Sequence, residues 1–398
     1  MLVILEMLLV LLGLFLFLFC GYLCLLALLS IRRPNEAPPS SRARFDVIVP
    51  AHDEAEGIGA TVDDLRRLDY PKERRRVIVV ADNCSDDTAK VARRHGALVW
   101  ERRDSRRRGK GPALGWAFSR SLEDGFADAV VVVDADTVAG PNLLRALSGR
   151  MDLGAQALQA HYGVRNKDDS WRTVLMTLAL ALFHEVRSLG REKLGVSCGL
   201  RGNGMCFTSS LIARFPHDAD SVVEDIEYGL ILGAKGVRVH FVPEAEVLGE
   251  MPADSEASKV QRARWEGGRR LLAKAWTARL IWGALRCRSR VMLDLAVDLL
   301  MPPLSTLGGL ASAGLVVGIL VSLLNGSIGL HLPLFILAVF SLSVYLWRGI
   351  VVSRLGWRGA QILFWAPVYL VWRIVKVSSQ RRGATRQWSR TPRQRGVG

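Results

Sequence analysis

The apolar residues of this chain gather at its two ends and leave a mixed pattern between them. Residues 2–29 carry one charge, Glu6, over a stretch longer than the roughly 20 residues a helix needs to cross a bilayer. Residues 31–41, IRRPNEAPPSS, are rich in proline and polar side chains and read as a linker. The period then changes. Apolar runs at 45–50, 76–80, 97–100 and 129–133 predict strands, and the segments 58–68, 87–95 and 112–122 have helical spacing. The run Ala129-Val130-Val131-Val132-Val133 is apolar at successive positions, as in a strand covered on both faces. Strands alternating with helices predict an α/β domain with a mixed, mostly parallel sheet and helices on both faces. Beyond residue 289, the segments 304–324 and 330–352 are long and apolar enough to span. Asp294, Asp298, Pro302 and Pro303 make the preceding stretch a poor span and a fair interfacial helix.

The expected organisation is an anchor (1–30), a linker (31–43), a soluble domain (44–285), an interfacial helix (286–303), a transmembrane hairpin (304–352), an interfacial or re-entrant helix (353–378) and a basic tail (379–398). Residues 360–377 span only marginally, and a span there would carry the Arg-rich tail outside, so a helix lying at the inner surface is expected. No internal repeat is evident.

Charge sets the orientation. Arg32 and Arg33 follow the first apolar run and no Lys or Arg precedes it, which predicts a retained anchor rather than a cleaved signal peptide and places the soluble domain in the cytoplasm. The uncharged loop 325–329 is then outside and 354–358 inside, giving a multi-pass protein of the cell inner membrane. The formal charge of +15, from 53 Lys plus Arg against 38 Asp plus Glu, fits nucleic acid or an anionic leaflet. The Arg clusters at 74–76, 106–108, 286–290 and 381–395 fall in loops and near membrane junctions without a nucleic-acid-binding motif, so membrane lipids are the expected partners and nucleic acid is not. Cys20, Cys24, Cys84, Cys198, Cys206 and Cys287 show no metal-ligand spacing and no disulfide framework. His184, Arg187 and Arg191 recur at helical spacing and read as a surface stripe.

Candidate chemistry collects at the carboxyl ends of the expected strands, where open α/β sheets bind ligands. His52, Asp53 and Glu54 follow the first strand, Asp82 the second, and Asp134 and Asp136 the fourth. Asp134 and Asp136, one residue apart, suit a hard cation such as Mg²⁺ or Mn²⁺; alone, such a pair is usually a solvated turn. Lys110 sits in Arg108-Gly109-Lys110-Gly111 at a helix start, where it is either a phosphate contact or a solvated loop residue. Glu224 and Asp225 are acids at a helix start, which means capping or a general base. The segment Leu200-Arg201-Gly202-Asn203-Gly204-Met205 has two glycines that let backbone approach a ligand closely or simply turn. Gln261, Arg264 and Trp265 lie on one helical turn.

Taken in order, Pro50-Ala51-His52-Asp53-Glu54, Ala81-Asp82-Asn83, Asp134-Ala135-Asp136, Glu224-Asp225 and Gln261-Arg262-Ala263-Arg264-Trp265 resemble the motifs of membrane-bound inverting family 2 glycosyltransferases. That group includes cellulose, chitin, hyaluronan and poly-N-acetylglucosamine synthases and ceramide glucosyltransferase, and the last stretch fits its (Q/R)xxRW motif. The resemblance covers about residues 44–280 and implies a GT-A-like fold and a metal-dependent transfer of sugar from a nucleotide sugar, with a UDP-sugar as the expected donor. It implies that Asp82 contacts the base, that His52, Asp53 and Glu54 line the nucleotide pocket, and that Asp136 binds the metal with Asp134 near ribose or metal. It further implies that Asp225 is the base beside Glu224, that Arg264 offsets diphosphate charge, and that Trp265 stacks on the acceptor with Gln261 on the same turn. The chain departs from the group at Asp53, where Asn is usual, and at Val223, where Thr is usual. A growing β-linked polysaccharide is the expected acceptor, with a ceramide, diacylglycerol or polyprenyl phosphate lipid as the alternative and a catalytically silent scaffold or nucleotide-sugar sensor as the third reading. A polymer tunnel built from so few spans implies a homo-oligomer or a small membrane partner.

Overall fold

The computed structural model describes residues 2–251 and 255–364. The tail 379–398 and most of the segment 353–378 lie outside the described residues. In chain order the elements are α1 (Leu2–Leu29), β1 (Phe45–Ala51), α2 (Ile58–Arg66), β2 (Arg75–Asp82), α3 (Thr88–Arg94), β3 (Leu98–Arg102), α4 (Lys110–Asp124), β4 (Ala129–Val132), β5 (Val138–Ala139), α5 (Leu143–Asp152) and β6 (Ala157–Val164). There follow α6 (Trp171–Leu180), a π-helical turn (Ala181–Val186), α7 (Arg187–Leu194), β7 (Met205–Thr208), α8 (Ser209–Arg214), α9 (Glu224–Ala234) and β8 (Val239–Gly249). The chain continues through α10 (Ser255–Cys287), α11 (Arg290–Leu300), α12 (Leu304–Asn325), α13 (His331–Ser353) and α14 (Trp357–Phe364).

One sheet runs in the order β3-β2-β1-β4-β7-β6-β8-β5. The half containing β1 to β4 is parallel, as the strand and helix alternation predicts, and β7 pairs antiparallel with both β4 and β6. The sheet is therefore mixed. Because side chains alternate along a strand, β1 supplies both faces of the core. Phe45, Val47 and Val49 pack with Ile58 and Val62 of α2 and Leu144 and Leu147 of α5. Ile48 faces Leu114 and Phe118 of α4 together with Phe207 and Tyr228.

Among the described residues, four helices are long and apolar enough to cross a membrane: Val3–Leu29, Trp171–Leu194, Leu304–Asn325 and His331–Ser353. The second, α6 through α7, is mainly buried inside the protein. Its start is fixed by Ser170, which accepts from the Thr173 backbone N–H at 3.2 Å while its own N–H donates to Thr173 Oγ1 at 2.9 Å, a capping box that satisfies two end groups of the helix. Leu178 and Leu182 pack with Leu16 and Leu23 of α1 and Leu342 and Tyr345 of α13. This packing corrects the expectation of a surface stripe on His184, Arg187 and Arg191: Arg187 and Arg191 are buried, and the Nδ1 of half-buried His184 lies 3.3 Å from the Tyr162 carbonyl. Their neutralising acids, Asp294 and Asp298, lie on α11, so helical spacing within 171–194 alone does not reveal them.

Candidate active site

β1, β2 and β4 run parallel, so their carboxyl ends and the residues that follow share one edge of the sheet. His52 Nδ1 lies 2.7 Å from the Asp82 carbonyl oxygen and ties the loop after β1 to the end of β2. Asp53 adopts a left-handed φ of 55°, a conformation in which Asp is less penalised than most residues. Its Oδ1 accepts the Ser85 N–H at 2.7 Å, so this carboxylate holds the loop after β2. The Glu54 N–H donates to Thr88 Oγ1 at 2.8 Å. Asp82 is buried, and its Oδ1 accepts from Arg102 Nη1 at 2.6 Å and Asn83 Nδ2 at 3.0 Å. Arg102 stands opposite Asp82 in the pairing of β2 with β3.

The carboxylates after β4 are held from both sides. Thr61 Oγ1 donates to the Ala135 carbonyl at 2.7 Å. The Asp134 N–H donates to Asn203 Oδ1 at 3.2 Å, and Asn203 Nδ2 donates to Thr137 Oγ1 at 2.8 Å. Asn203 thus clamps the Asp134–Asp136 turn to the glycine-rich segment before β7. Gln159 of β6 holds the same segment, donating to the Asn203 carbonyl at 2.7 Å and accepting the Arg201 N–H at 2.9 Å.

Lys110 is the centre of the arrangement. Helix α4 starts at Lys110, two residues before the expected position, and the Lys110 Nζ donates to Asp134 Oδ1 at 2.5 Å and to the Gly202 carbonyl at 2.7 Å. Burial opposes its charge, but Asp134, Glu224 and Asp225 outweigh burial and hold the ammonium above its usual range; it is not a solvated loop lysine. Gly202 has φ +79°, and a Cβ there would lie 3.3 Å from Asp225 Oδ2 and 3.6 Å from Lys110 Nζ. The bare backbone at Gly202 is what lets the acid and the ammonium meet.

Glu224 and Asp225 open α9, where backbone N–H groups favour anions, and the Glu224 side chain is buried. Burial, only partly offset by Lys110, raises the Glu224 carboxyl to about 7. Burial also raises Asp225, against the Ile226 N–H and Lys110, which favour its ionised form. The two acids titrate as a pair.

Trp265 of α10 reaches this region, and Gln261 and Arg264 lie on the same stretch of that helix. Gly268 presses on Val223, which a Cβ there would meet at 2.8 Å, and Trp265 packs with Val223 and Leu272. Among the described residues, Gln261 Oε1 and Arg264 Nε are buried without a hydrogen-bond partner, groups that normally find one. The structure thus brings together Lys110, Asp134, Gly202, Glu224 and Asp225, and places α10 against the residue before the acid pair.

Asp134 and Asp136 offer only oxygen donors, the set that hard cations such as Mg²⁺ or Mn²⁺ take, and Asp134 already attracts a cation in Lys110. The pair fits a divalent metal. A second group, Asp53, Cys84 and Asp86, places ligand atoms within 4.8 Å of one another, but it includes a thiol and its Asp53 already serves the loop.

A sequence profile described as Glycosyltransferase like family 2 matches residues 42–268, more than half the chain. The chain belongs to glycosyltransferase family 2. Among its relatives, Probable glycosyltransferase YdaM of Bacillus subtilis (strain 168) is 28% identical over 63% of this chain and 60% of its own length. Glucomannan 4-beta-mannosyltransferase 1 of Oryza sativa subsp. japonica is 22% identical over 59% of this chain and 48% of its own. The chain therefore spans about half to three-fifths of the length of these curated relatives. Among solved structures, mannosyltransferase PcManGT from Pyrobaculum calidifontis, described in complex with GDP-Man and Mn²⁺, superposes with a TM-score of 0.53 at 18% identity, covering 94% of this chain and 100% of that one. At that identity the likeness shows a shared GT-A-like fold. Sequence reading of this family 2 chain misses Arg102, Asn203 and Gln159. Arg102 sits in a strand and pairs across the sheet, and the other two act through contacts between segments far apart in the chain.

Proposed function

We propose that this family 2 protein moves a sugar from a nucleotide sugar, a UDP-sugar first among donors, to a growing polysaccharide, inverting the anomeric centre to form β-linkages. The observation that carries this reading is the convergence of Lys110, Asp134, Glu224 and Asp225 around Gly202. Asp225 takes the proton of the acceptor hydroxyl as its oxygen forms the new bond to the anomeric carbon. The bond from that carbon to the diphosphate oxygen breaks on the opposite face, and the diphosphate departs with the electron pair. A carboxyl raised by burial is a better base near neutral pH than a solvated one. Lys110, together with Arg264, offsets negative charge on the departing group. Asp134 and Asp136 would hold Mg²⁺ or Mn²⁺, whose chemistry when bound is to offset diphosphate charge. His52, Glu54 and Asp82 line the nucleotide side, and Gln261 and Trp265 the acceptor side.

Two points support a polymer acceptor: the order of motifs through QRARW, and relatives named for glucomannan 4-beta-mannosyl transfer. A membrane lipid is the second acceptor reading, favoured by the packing of α6 and the π-helical turn, which precede the site segment, against α1 and α13. The proposed location is a multi-pass protein of the inner membrane with the sheet in the cytoplasm. The test is incubation of the full chain in lipid nanodiscs with Mg²⁺ or Mn²⁺ and radiolabelled UDP- and GDP-sugars. Label in high-mass material is expected. Label in the organic phase replaces polymer by lipid, and no product or nucleotide release from any donor overturns the reading.

A further inference from the structure

Four arginines converge where the sheet domain meets the long apolar helices, and among the described residues two carboxylates, Asp294 and Asp298, form ion pairs with three of them. Arg187 Nη1 lies 3.1 Å and Arg191 Nη2 2.9 Å from Asp298 Oδ1, Arg191 Nε lies 3.2 Å from Asp294 Oδ2, and Arg269 Nη2 lies 3.7 Å from Asp298 Oδ1. The fourth, Arg201, makes no ion pair among the described residues; its Nη2 donates to the Cys198 carbonyl at 2.9 Å. Three of these guanidinium groups lie over the ring of Phe183, at 4.2 Å for Arg201, 5.0 Å for Arg187 and 5.7 Å for Arg269. Three buried nitrogens, Arg191 Nη1, Arg191 Nη2 and Arg201 Nε, have no hydrogen-bond partner among the described residues, Arg191 Nη2 meeting Asp298 only as an ion pair. Arg191 is fully buried.

Buried charges are normally paired, because removing an ion from water is costly unless an opposite charge replaces the lost hydration. Here, among the described residues, four guanidinium groups face two ion-paired carboxylates, while Asp294 Oδ2 also lacks a hydrogen-bond partner and Asp225 lies within electrostatic reach of Arg201. Burial brings the Arg201 guanidinium down to about 10 even with Asp298 near it, as expected of a cation short of partners. The least buried members of the cluster are Phe183, half-buried, and Arg269, whose side chain is 21% exposed.

The location names the ligand class. Tyr22 of α1 donates to Asp294 and accepts from Arg191 Nε, and Tyr345 of α13 accepts from Arg187 Nε at 3.3 Å. With 28 residues at 1.5 Å each, α1 is about 42 Å long, more than a hydrocarbon core of about 30 Å, and Tyr22 lies in its last two turns, at the end that leads into Arg32 and Arg33. We propose that this arginine cluster binds the phosphate headgroup of an anionic lipid. The phosphate oxygens would accept from Arg201 and Arg269 as forked donors, while Asp298 keeps Arg187 and Arg191 behind them.

The experiment uses the purified full chain in detergent and measures lipid retention by native mass spectrometry and thermal stabilisation, with phosphatidic acid, phosphatidylcholine or inorganic phosphate as the probe. Retention of phosphatidic acid over phosphatidylcholine is expected. Arg269→Gln and Arg201→Gln should each weaken it by at least about tenfold, the loss of one charged hydrogen bond, while the exposed Arg214→Gln leaves it unchanged. Arg269 is partly exposed, so its variant serves if Arg201→Gln fails to fold, with circular dichroism as the check. Equal retention of the two lipids, or unchanged binding in folded Arg269→Gln, overturns the proposal. Stabilisation by inorganic phosphate as strong as by phosphatidic acid overturns the lipid source. None of these readouts requires glycosyl transfer, so the outcome is independent of the function proposed above.

Discussion

Asp225 and Glu224 share one buried turn with Lys110, and their chemistry depends on which of them holds a proton. Asp225→Asn keeps the shape and removes the base, so transfer should fall by about 10²- to 10⁴-fold with nucleotide binding retained, measured by product formation alongside calorimetric titration of donor. With Glu224 raised from 4.5 to about 7, the pair takes up a proton as pH falls through 7. The pH profile of kcat/KM should therefore have an acid limb near 7, and Glu224→Gln should move that limb downward. The same shift acts on stability with a definite sign. Between pH 4.5 and about 7 the folded Glu224 holds a proton that the unfolded chain has released, so this group's contribution to stability declines as pH rises through that window. Asp136→Ala should remove the metal-dependent part of nucleotide binding; equal titrations with and without Mn²⁺ in both proteins would contradict the metal assignment.

At the scale of elements, the site depends on how closely α4 approaches the segment before α9. A Cβ on Gly111 would lie 2.2 Å from the Ala219 carbonyl oxygen and 3.1 Å from Glu224 Cβ. Gly111→Val should destabilise the protein by about 1–3 kcal/mol and displace Glu224, seen as a lower Tm with lost transfer. The parallel half of the sheet was legible because Val47, Val79 and Val131 belong to short apolar runs with helical stretches between them. It follows that Asp82, Asp134 and Asp136 could be placed on one edge before any coordinates. The other half, where β7 runs antiparallel to its neighbours and β6 pairs in parallel with β8, was not legible. β7 is four residues long and follows a glycine-rich turn, and β8 mixes His240, Glu244 and Glu246 with apolar positions. The clamp made by Asn203 and the pairing of Arg102 with Asp82 were equally hidden, since each depends on which segments the sheet makes neighbours.

At the scale of the molecule, Asp298 ties α11 to α7 and α10, between the sheet domain and the long apolar helices. Burial would raise its carboxyl, but Arg191, Arg269 and Arg187 hold it far below the usual carboxylate range. Asp298→Asn should cost about 3–5 kcal/mol, read as a lower Tm in detergent, whereas Asp220→Asn, an exposed partner of Arg107, should stay within about 0.5 kcal/mol of wild type. Helical spacing gave no sign of this junction, because Arg187 and Asp298 are 111 residues apart and only the folded chain brings them together. That separation also sets an order of events during synthesis. At about 5–20 residues per second, Arg187 leaves the ribosome roughly 6–22 s before the 111-residue interval to its counter-ion is complete, and Tyr345 comes later still. Until α11 is made, Arg187 and Arg191 have no counter-ion against which to be buried, so α7 can settle into its final packing only late in synthesis.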